Sequence, residues 1–289
     1  MALRMYPPFV EAPCAQQTVH ERRSEKSMRF LLVSDIHGNV TAVRKLRAQE
    51  TNDFDAVVVA GDIGSMGAAE IMDVLASFAC PVLYVYGNWD RDLAYDESFG
   101  ADCHHLHLAP FRLGPFAFVG FSGCPSGWGR NRVAESLYRQ VGRDQRRSVR
   151  GRILGENRRQ LVEVVKTSPT AIGRTVVVTH ERLSRTERDL SGIPVFLFGH
   201  KHRFADTSVK GARFVDVAAL DMRLVVQPKG TEVWNPSKSR NVNVGNYAVM
   251  EWTEAAGFHI ACVRLDRFPW EEEWEIVETG AMLDAPFLT

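Results

Sequence analysis

Short apolar runs alternate with helical patterns in the first half of the chain. Apolar segments at residues 29–34, 56–60 and 82–86 predict buried strands. Between them, residues 39–50 and 66–78 repeat apolar side chains at helical spacing, which predicts two amphipathic helices. An alternating order of strands and helices is typical of βαβ crossovers, so we predict parallel strands in an α/β fold.

The second half of the chain returns to strands that are not separated by long helices. This arrangement favours a second, more antiparallel sheet. We interpret Val226–Gly245, which is rich in Asn, Pro, Ser and Lys, as a surface loop, and the tail Trp270–Glu278 as a terminal strand. The apolar runs lie at residues 116–121, 174–179, 195–198, 213–217, 247–252 and 258–265.

The chain is predicted to hold one domain, at residues 28–289, behind an N-terminal extension. Residues 1–27 lack a continuous apolar stretch and end in a charged cluster, so we expect a disordered or loosely docked segment. A basic helical insertion is predicted at about residues 125–166. Within it, the stretch from Arg130 to Arg159 holds ten arginines and three acidic residues. It is either a solvated helix face or an anion-binding surface for substrate, nucleic acid or a partner.

Composition narrows the class of protein. Lys+Arg and Asp+Glu both number 35, so the overall charge gives no sign of a polyanion-binding protein. No apolar run approaches the roughly 20 residues that span a bilayer, and we expect no membrane partner. The five cysteines are scattered and odd in number, which favours a reducing cytoplasm over a disulfide framework.

Possible metal ligands follow five of the predicted strands directly. Loops at the carboxyl ends of strands in α/β sheets converge on one edge, which is where sites form. Each short motif alone is weak, since Gly-Asp is commonly a turn. Five strand ends that each deliver a carboxylate, imidazole or amide predict a metal site. The candidate ligands are Asp35, His37, Asp62, Asn88, His180, His200 and His202.

This motif set resembles that of the calcineurin-like metallophosphoesterase superfamily, and its spacing is similar to the compact bacterial and archaeal phosphodiesterase branch. The match covers about residues 29–220. The resemblance implies a four-layer α/β/β/α sandwich of two mixed sheets flanked by helices. It also implies two divalent metals: Asp35, His37 and His202 on the first, and Asn88, His180 and His200 on the second. Asp62 would bridge both metals.

The resemblance implies a phosphoester hydrolase. Two ions about 3.5–4 Å apart share a hydroxide that attacks phosphorus in line, and they neutralise charge on the phosphoryl oxygens. Asp62, Asn88 and His200 are the expected catalytic residues. The mixed nitrogen and oxygen ligands suit Mn, Fe, Zn or Ni, and the sequence does not choose among these metals. The expected substrates are small phosphoesters, with phosphodiesters such as nucleotides favoured over monoesters.

Trp89 stands where many family members carry a histidine that protonates the leaving group. An indole transfers no proton near neutral pH. We hypothesise that Trp89 shifts preference toward esters with good leaving groups, or that it stacks on the substrate. The resemblance also implies that Arg130 and Arg132 lie near the substrate pocket, where they are candidates for contacts to the phosphate. Asp90, which orients the histidine in relatives, is left to cap the next helix.

Other polar residues are interpreted as structural. We expect Asn39 to cap the helix that follows it. The alternation around His104, His105 and His107 predicts a strand. Asp206, Asp216 and Asp221 are expected to serve turns.

Two other functions remain open. The basic stretch 130–159 is the only support for a nuclease acting on DNA or RNA. A protein-interaction scaffold is the other, because a retromer subunit keeps this fold for protein binding. Such scaffolds typically lose metal ligands, whereas this chain has all seven.

Overall fold

Alternate side chains of the first strand face two different hydrophobic cores. Leu31 and Val33 belong to one core and Phe30 and Leu32 to the other, as the two-residue period of a strand requires. The computed structural model describes residues 27–94, 96–123, 142, 145–183, 185–230, 240–266 and 274–276.

The described residues form the following strands and helices. The strands are β1 (Ser27–Val33), β2 (Ala56–Ala60), β3 (Val82–Val85), β4 (Cys103–His105), β5 (Phe111–Leu113), β6 (Phe116–Phe121), β7 (Thr175–Thr179), β8 (Val195–Phe198), β9 (Phe204–Val209), β10 (Ala212–Val217), β11 (Arg223–Pro228), β12 (Arg240–Asn243), β13 (Asn246–Thr253), β14 (Gly257–Arg264) and β15 (Trp274–Ile276). The helices are α1 (Val40–Gln49), α2 (Ala68–Ala76), α3 (Arg146–Thr167) and α4 (Thr186–Asp189), with a 3₁₀ turn at Ile172–Arg174.

Two six-stranded mixed sheets form the centre of the molecule. The first has the order β14-β13-β1-β2-β3-β4, in which β1 to β4 are parallel and β13 and β14 are antiparallel. The second has the order β5-β6-β7-β8-β10-β9, with parallel strands at its centre and antiparallel strands at both edges. Both sheets therefore combine βαβ crossovers with hairpin pairing.

Three hydrophobic cores arrange the sheets and helices in four layers. One core lies between the two sheets and takes residues from both. A second lies between the first sheet and helices α1 and α2, and a third lies between the second sheet and helices α3 and α4. The predicted α/β/β/α sandwich is confirmed. Its parallel strands β1, β2, β3, β7 and β8 end at the loops that carry the candidate ligands.

The interpretation of Val226–Gly245 as a surface loop is wrong in part. Strands β11 and β12 lie at its two ends and pair with each other, and β11 also pairs with β15. Val226 and Val242 are buried in the small core of this third sheet. The terminal strand predicted in Trp270–Glu278 is present as β15.

Two further expectations fall largely outside the described residues. The extension 1–27 contributes only Ser27, which begins β1. Of the basic insertion at 125–166, Gly142 and helix α3 are described. None of the helices in the described ranges has the length and apolar character needed to cross a membrane.

Candidate metal centre

Five of the seven candidate ligands have a left-handed backbone. The φ angles of Asp35, His37, Asp62, His200 and His202 lie between 50° and 75°. This region is uncommon for residues other than glycine and costs free energy unless the surrounding structure enforces it. The strain falls where the strands end and the chain turns to aim side chains at one point, and such clustering is a feature of functional sites.

Asp35, His37 and His202 form the first group of donor atoms. His202 Nε2 lies 3.3 Å from Asp35 Oδ1, and His37 Nε2 lies 4.0 Å from the same oxygen. One donor atom from each residue falls within 4.8 Å of the other two. Three nitrogen and oxygen donors at this separation fit the coordination shell of one divalent ion.

Asp62 lies between histidines from the two sheets. Its Oδ2 is 3.3 Å from His37 Nε2 and 3.2 Å from His180 Nε2. Asp62, Asp35 and His180 form a second group of potential ligands, all of them buried. One carboxylate oxygen therefore faces both histidines at once, as a bridging ligand would.

His180 is held in one tautomer. Its Nδ1 lies 2.9 Å from the backbone oxygen of Ala60, a hydrogen-bond acceptor, so Nδ1 carries the proton and Nε2 is left to face the site. Asn88 Oδ1 lies 3.2 Å from that Nε2. The His200 ring centroid is 5.2 Å from that of His180. The structure thus brings all seven candidate ligands together.

The electrostatic field of the site favours positive charge. Burial alone would lower the pKa of His37, but hydrogen bonds to Asp221 and Asp62 and the nearby carboxylates raise it to about 9. Burial opposes protonation of His180 too, yet the charge of Asp62 and its hydrogen bond raise that pKa to about 10. The same histidines hold the pKa of Asp62 below its usual range, against the effect of burial. A divalent cation would displace these protons and satisfy the same carboxylates.

The outer two histidines differ in environment. Burial and the neighbouring His180 lower the pKa of His200. The hydrogen bond to Asp35 raises the pKa of His202. His200 is thus disposed to the neutral form, which is the form that binds metal.

Asp90 joins two loops of the site and does not cap a helix, so that expectation is wrong. Its carboxylate accepts hydrogen bonds of 2.7 Å from the backbone N–H groups of Gly64 and Gly87. The side chain is fully buried, and burial together with the charge of Asp62 raises its pKa to about 6. Residues 91–94 form a turn rather than a helix. Asp90 therefore fixes the loop that carries Asn88 against the loop that follows Asp62.

Asp221 is a neighbour of the ligands that sequence reasoning missed. Its Oδ2 lies 3.6 Å from His37 Nδ1, on the side of the ring that faces away from Asp62. Asn39, which caps α1 as expected, donates a hydrogen bond of 2.5 Å to Asp221 Oδ1. The segment after β10 crosses to the site, where the Asp221 N–H bonds the Asp35 carbonyl. Asp221 lies four residues beyond the end of β10, so the strand-end rule does not single it out.

The other two aspartates expected in turns lie in strands. Asp206 is part of β9 and pairs with Arg213, and Asp216 is a buried residue of β10. Both expectations are wrong: Asp216 lies inside the strand predicted at residues 213–217, and the strand that contains Asp206 was not predicted.

Glycines before Asn88 and His200 permit the close approach of the two sheets. A Cβ on Gly87 would clash with Asp62 Oδ1, and it would come within 2.7 Å of the His180 ring. A Cβ on Gly199 would clash with Ser34 and lie 2.6 Å from Asp35 Oδ2. Glycine is therefore required before Asn88 and His200 by packing, because a larger residue would not fit between the two sheets.

Trp89 is fixed beside the ligands. Its backbone N–H donates a hydrogen bond of 2.7 Å to Asp62 Oδ1, and its ring centroid lies 4.9 Å from that of His37. The residue is 38% exposed. Arg130 and Arg132, the other expected substrate contacts, lie outside the described residues.

Two cavities open beside the candidate ligands. One, of about 500 Å³, is lined by His37, Asn88 and Trp89 among others. The second, of about 430 Å³, is lined by His200 and by charged side chains that include Arg182 and Lys201. Each volume is suited to a small organic group.

Histidines and arginines outside the site have structural partners. His104 and His105 lie in β4, which confirms the predicted strand for these two residues, whereas His107 forms only an isolated bridge beyond it. His105 Nε2 is 2.6 Å from Ser122 Oγ. Arg158 pairs with Asp189, and Arg159 pairs with Glu156 and Glu163 on its own helix. These two arginines of the basic stretch are thus engaged with carboxylates.

The calcineurin-like phosphoesterase superfamily domain matches residues 28–230 of this chain. The match spans most of the sequence and contains all seven candidate ligands, so the protein belongs to this superfamily. Members of the superfamily typically bind divalent metals, and membership supports a metal-dependent phosphoester hydrolase. The chain is thus a phosphoesterase-family protein with candidate metal ligands at the expected strand ends.

Several solved structures align with most of this chain at low sequence identity. The protein TT1561 of Thermus thermophilus is 15% identical, with 83% of this chain and 99% of that one covered and a TM-score of 0.48. A predicted phosphoesterase from Streptococcus pneumoniae is 15% identical, with 84% and 94% covered and a TM-score of 0.40. An archaeal phosphodiesterase is 11% identical, with 82% and 100% covered and a TM-score of 0.41. No curated protein matches the sequence significantly.

Proposed function

We propose that this protein is a dinuclear metal-dependent phosphodiesterase. The observation that carries the proposal is the position of Asp62 Oδ2, 3.3 Å from His37 Nε2 and 3.2 Å from His180 Nε2. A carboxylate oxygen between two histidines of different sheets suits a bridge between two cations. Two cations that share a carboxylate are a recurrent arrangement for phosphoester hydrolysis.

The first proposed ligand set is one of the two groups of donor atoms, and the second set is the one that the family resemblance implies. Asp35, His37 and His202 hold one ion, and Asn88, His180 and His200 hold the other. Asp62 belongs to both sets. The mixture of imidazole, carboxylate and amide suits Mn, Fe, Zn or Ni.

The bound metals supply Lewis acidity toward phosphoryl oxygens and a strong oxygen nucleophile at neutral pH. The chain supplies orientation. The Ala60 carbonyl keeps His180 Nε2 directed into the site, and Asp90 holds the Asn88 loop in place. Because Trp89 transfers no proton near neutral pH, the leaving group departs without help from a side chain at that position. We therefore expect faster turnover of esters with acidic leaving groups.

Two cavities at different ligands favour diesters over monoesters. One opens on His37 and Asn88, and the other on His200. A phosphodiester carries two substituents, and each cavity has room for one of them. A monoester would occupy one cavity only and would forgo the binding energy of the second.

The test compares two substrates that share a leaving group. Protein loaded with Mn²⁺ is assayed on bis(p-nitrophenyl) phosphate and p-nitrophenyl phosphate, and the metal content of the same preparation is measured. We expect about two metal ions per chain and a higher kcat/KM for the diester. His200→Ala is the control that must lose activity. Hydrolysis of neither ester would contradict the function, and a faster monoester would contradict the diester preference.

A further inference from the structure

The larger cavity beside the metal centre has an apolar wall that the metal ligands do not explain. We propose that Met66 and Trp89 bind an apolar or aromatic substituent of the phosphoester. This inference rests on the proposed function, because it assigns a substituent-binding surface to the same site. Met66 and Trp89 are thus proposed as residues that determine specificity.

The exposure of these two side chains supports the proposal. In the described part of the chain, three large hydrophobic residues are exposed: Met66 at 87%, Ile172 at 39% and Trp89 at 38%. Two of the three line this one cavity. Single exposed apolar side chains are ordinary, but a pair on the wall of a concave surface is a feature of ligand sites. Methionine and tryptophan suit the task because thioether and indole both make favourable contacts with aromatic rings.

The wall is held in place before any ligand binds. Ser65 donates hydrogen bonds of 3.1 Å from its N–H and 3.0 Å from its hydroxyl to the Trp89 carbonyl. Asp90 ties the backbone N–H of Gly64 to the same loop. Met66 and Trp89 are therefore neighbours on two loops that are bonded to each other. A preorganised backbone reduces the conformational entropy that is lost on binding to the ordering of the two side chains.

The cavity is continuous with the site and too large for phosphate alone. His37 and Asn88 form part of its lining, and the indole ring of Trp89 lies 4.9 Å from the His37 ring, centroid to centroid. A phosphoryl group held at the ligands would point one substituent along this wall. The volume of about 500 Å³ is within the range of cavities that hold organic ligands.

Charge at the rim favours a neutral occupant. Arg91 and Asp92 are the ionic residues that line the cavity beyond the ligands, and Arg91 Nε lies 3.8 Å from Asp92 Oδ2. The two charges offset each other, and both side chains are largely exposed. The second cavity is lined by more ionic side chains, namely Glu181, Arg182, Arg185, Glu187 and Lys201, and is the more polar of the two. The Met66 cavity is accordingly assigned to an aryl or alkyl group.

A pair of phosphonates tests the wall independently of catalysis. Phenylphosphonate and methylphosphonate are dianions that are not hydrolysed, and they differ in the apolar group. Their affinities for the Mn²⁺-loaded protein are measured by isothermal titration calorimetry. We expect phenylphosphonate to bind on the order of tenfold more tightly, from the apolar area that the ring buries.

Three variants and one control test which residues cause the preference for phenylphosphonate over methylphosphonate. Met66→Ser and Trp89→Ala should each reduce it by about threefold or more, while methylphosphonate affinity stays within about twofold of wild type. Trp89→Phe keeps an aromatic face and should retain most of the preference. Ile172→Ser is the matched control, because Ile172 is also an exposed hydrophobic residue but precedes β7, at the end of the strand remote from His180. It should leave the preference unchanged.

The results separate this inference from the proposed function. Equal affinity for both phosphonates, no binding of either one, or an equal loss in Ile172→Ser and Met66→Ser would overturn the assignment of the wall. Hydrolysis of bis(p-nitrophenyl) phosphate is measured on the same preparations. If the protein hydrolyses the diester but binds both phosphonates equally, the role of Met66 and Trp89 is refuted and the proposed phosphodiesterase activity is not. A phenyl preference without hydrolysis supports the wall and refutes the phosphodiesterase.

Discussion

At the scale of single residues, the site depends on side chains behind the ligands as much as on the ligands. His180 is directed by the Ala60 carbonyl, and His37 faces Asp221 on the side away from Asp62. Such partners fix the ring orientation and the tautomer, and they make the imidazole a stronger ligand. Loss of one of them should weaken metal binding without removing a ligand.

Asp221→Asn tests this effect. The change keeps the size of the side chain but removes the charge 3.6 Å from His37 Nδ1. We expect the affinity for Mn²⁺ to fall by about 10- to 100-fold, measured by titration against a competing chelator. Asp73→Asn is the matched control, since Asp73 is an exposed residue of α2. An affinity within twofold of wild type for Asp221→Asn would show that the contact does not orient the ligand.

Sequence reasoning singled out the candidate ligands because they follow apolar runs, but it did not connect Asp221 with them. Asp221 comes four residues after β10 ends at Val217, and the stretch between them has no regular spacing. Its role depends on backbone bonds to residues far away in the sequence, such as the bond to the Asp35 carbonyl. A pattern along the chain does not contain that contact. The left-handed backbone of the ligands was equally hidden, since Asp and His at a strand end are compatible with several conformations.

At the scale of elements, the two sheets are joined at one side by a polar network. His105 belongs to β4 of the first sheet, and Ser122 follows β6 of the second. Ser122 accepts a hydrogen bond of 2.8 Å from the Tyr86 N–H and lies 2.6 Å from His105 Nε2. The Ser122 N–H donates to His107 Nδ1 at 3.0 Å. That bond requires His107 Nδ1 to be unprotonated.

Stability should therefore fall as the pH drops below the ordinary pKa of histidine. Burial and the neighbouring His105 lower the pKa of His107 from 6.5 to about 3. Between these values the unfolded chain takes up a proton that the folded chain does not, so the contribution of His107 to stability is lost as the pH falls. From pH 7 to pH 5 the loss is about 1 to 2 kcal/mol.

His107→Gln should remove that part of the pH dependence. The free energy of unfolding is measured in urea at both pH values for wild type, His107→Gln and the control His259→Gln, since His259 is exposed on β14. We expect wild type and His259→Gln to lose more stability at pH 5 than His107→Gln does. Equal losses in all three proteins would contradict the role of His107.

The elements found from the sequence share a strong local signal. Strands β1, β2, β7 and β8 are continuous apolar runs, and α1 has a helical period and the Asn39 cap. The strands β5, β9, β11 and β12 were not predicted. Strand β5 has three residues, and β11 and β12 flank a polar segment and owe their pairing to β15 and to each other. The pairing of β11 with β15 joins segments that are distant in sequence, so the local pattern carries little of its stability.

At the scale of the whole molecule, the site lies where the two sheets meet. Asp35, Asp62 and Asn88 come from the first sheet, and His180, His200 and His202 come from the second. The rule that sites form at the carboxyl ends of parallel strands predicts one edge for each sheet. How the two edges face each other depends on packing across the central core, which the alternation along one strand does not specify. The expectation that the two edges face each other came from the family resemblance.

Metal binding should stabilise the whole fold, because the ions would join the two sheets. Asp35, Asp62 and His180 are buried within one group of donor atoms, and divalent cations bound there stabilise only the folded chain. With free Mn²⁺ at about 100 times its Kd, the gain is about 2.7 kcal/mol for a single site. That corresponds to a rise in Tm of about 4 to 5 °C for a protein of this size.

The shift in Tm is measured by differential scanning calorimetry on chelator-treated protein with and without added Mn²⁺. Asp62→Asn removes the charge that faces both His37 and His180, so this variant should lose more than half of the metal-induced shift, whatever its own Tm. Ca²⁺ at the same concentration should give a smaller shift than Mn²⁺, because imidazole donors suit Mn²⁺ better than a cation that prefers oxygen. A wild-type Tm that does not respond to Mn²⁺, or an undiminished shift in Asp62→Asn, would mean that no metal links the sheets through Asp62. The buried carboxylates would then be balanced by the protonated histidines alone.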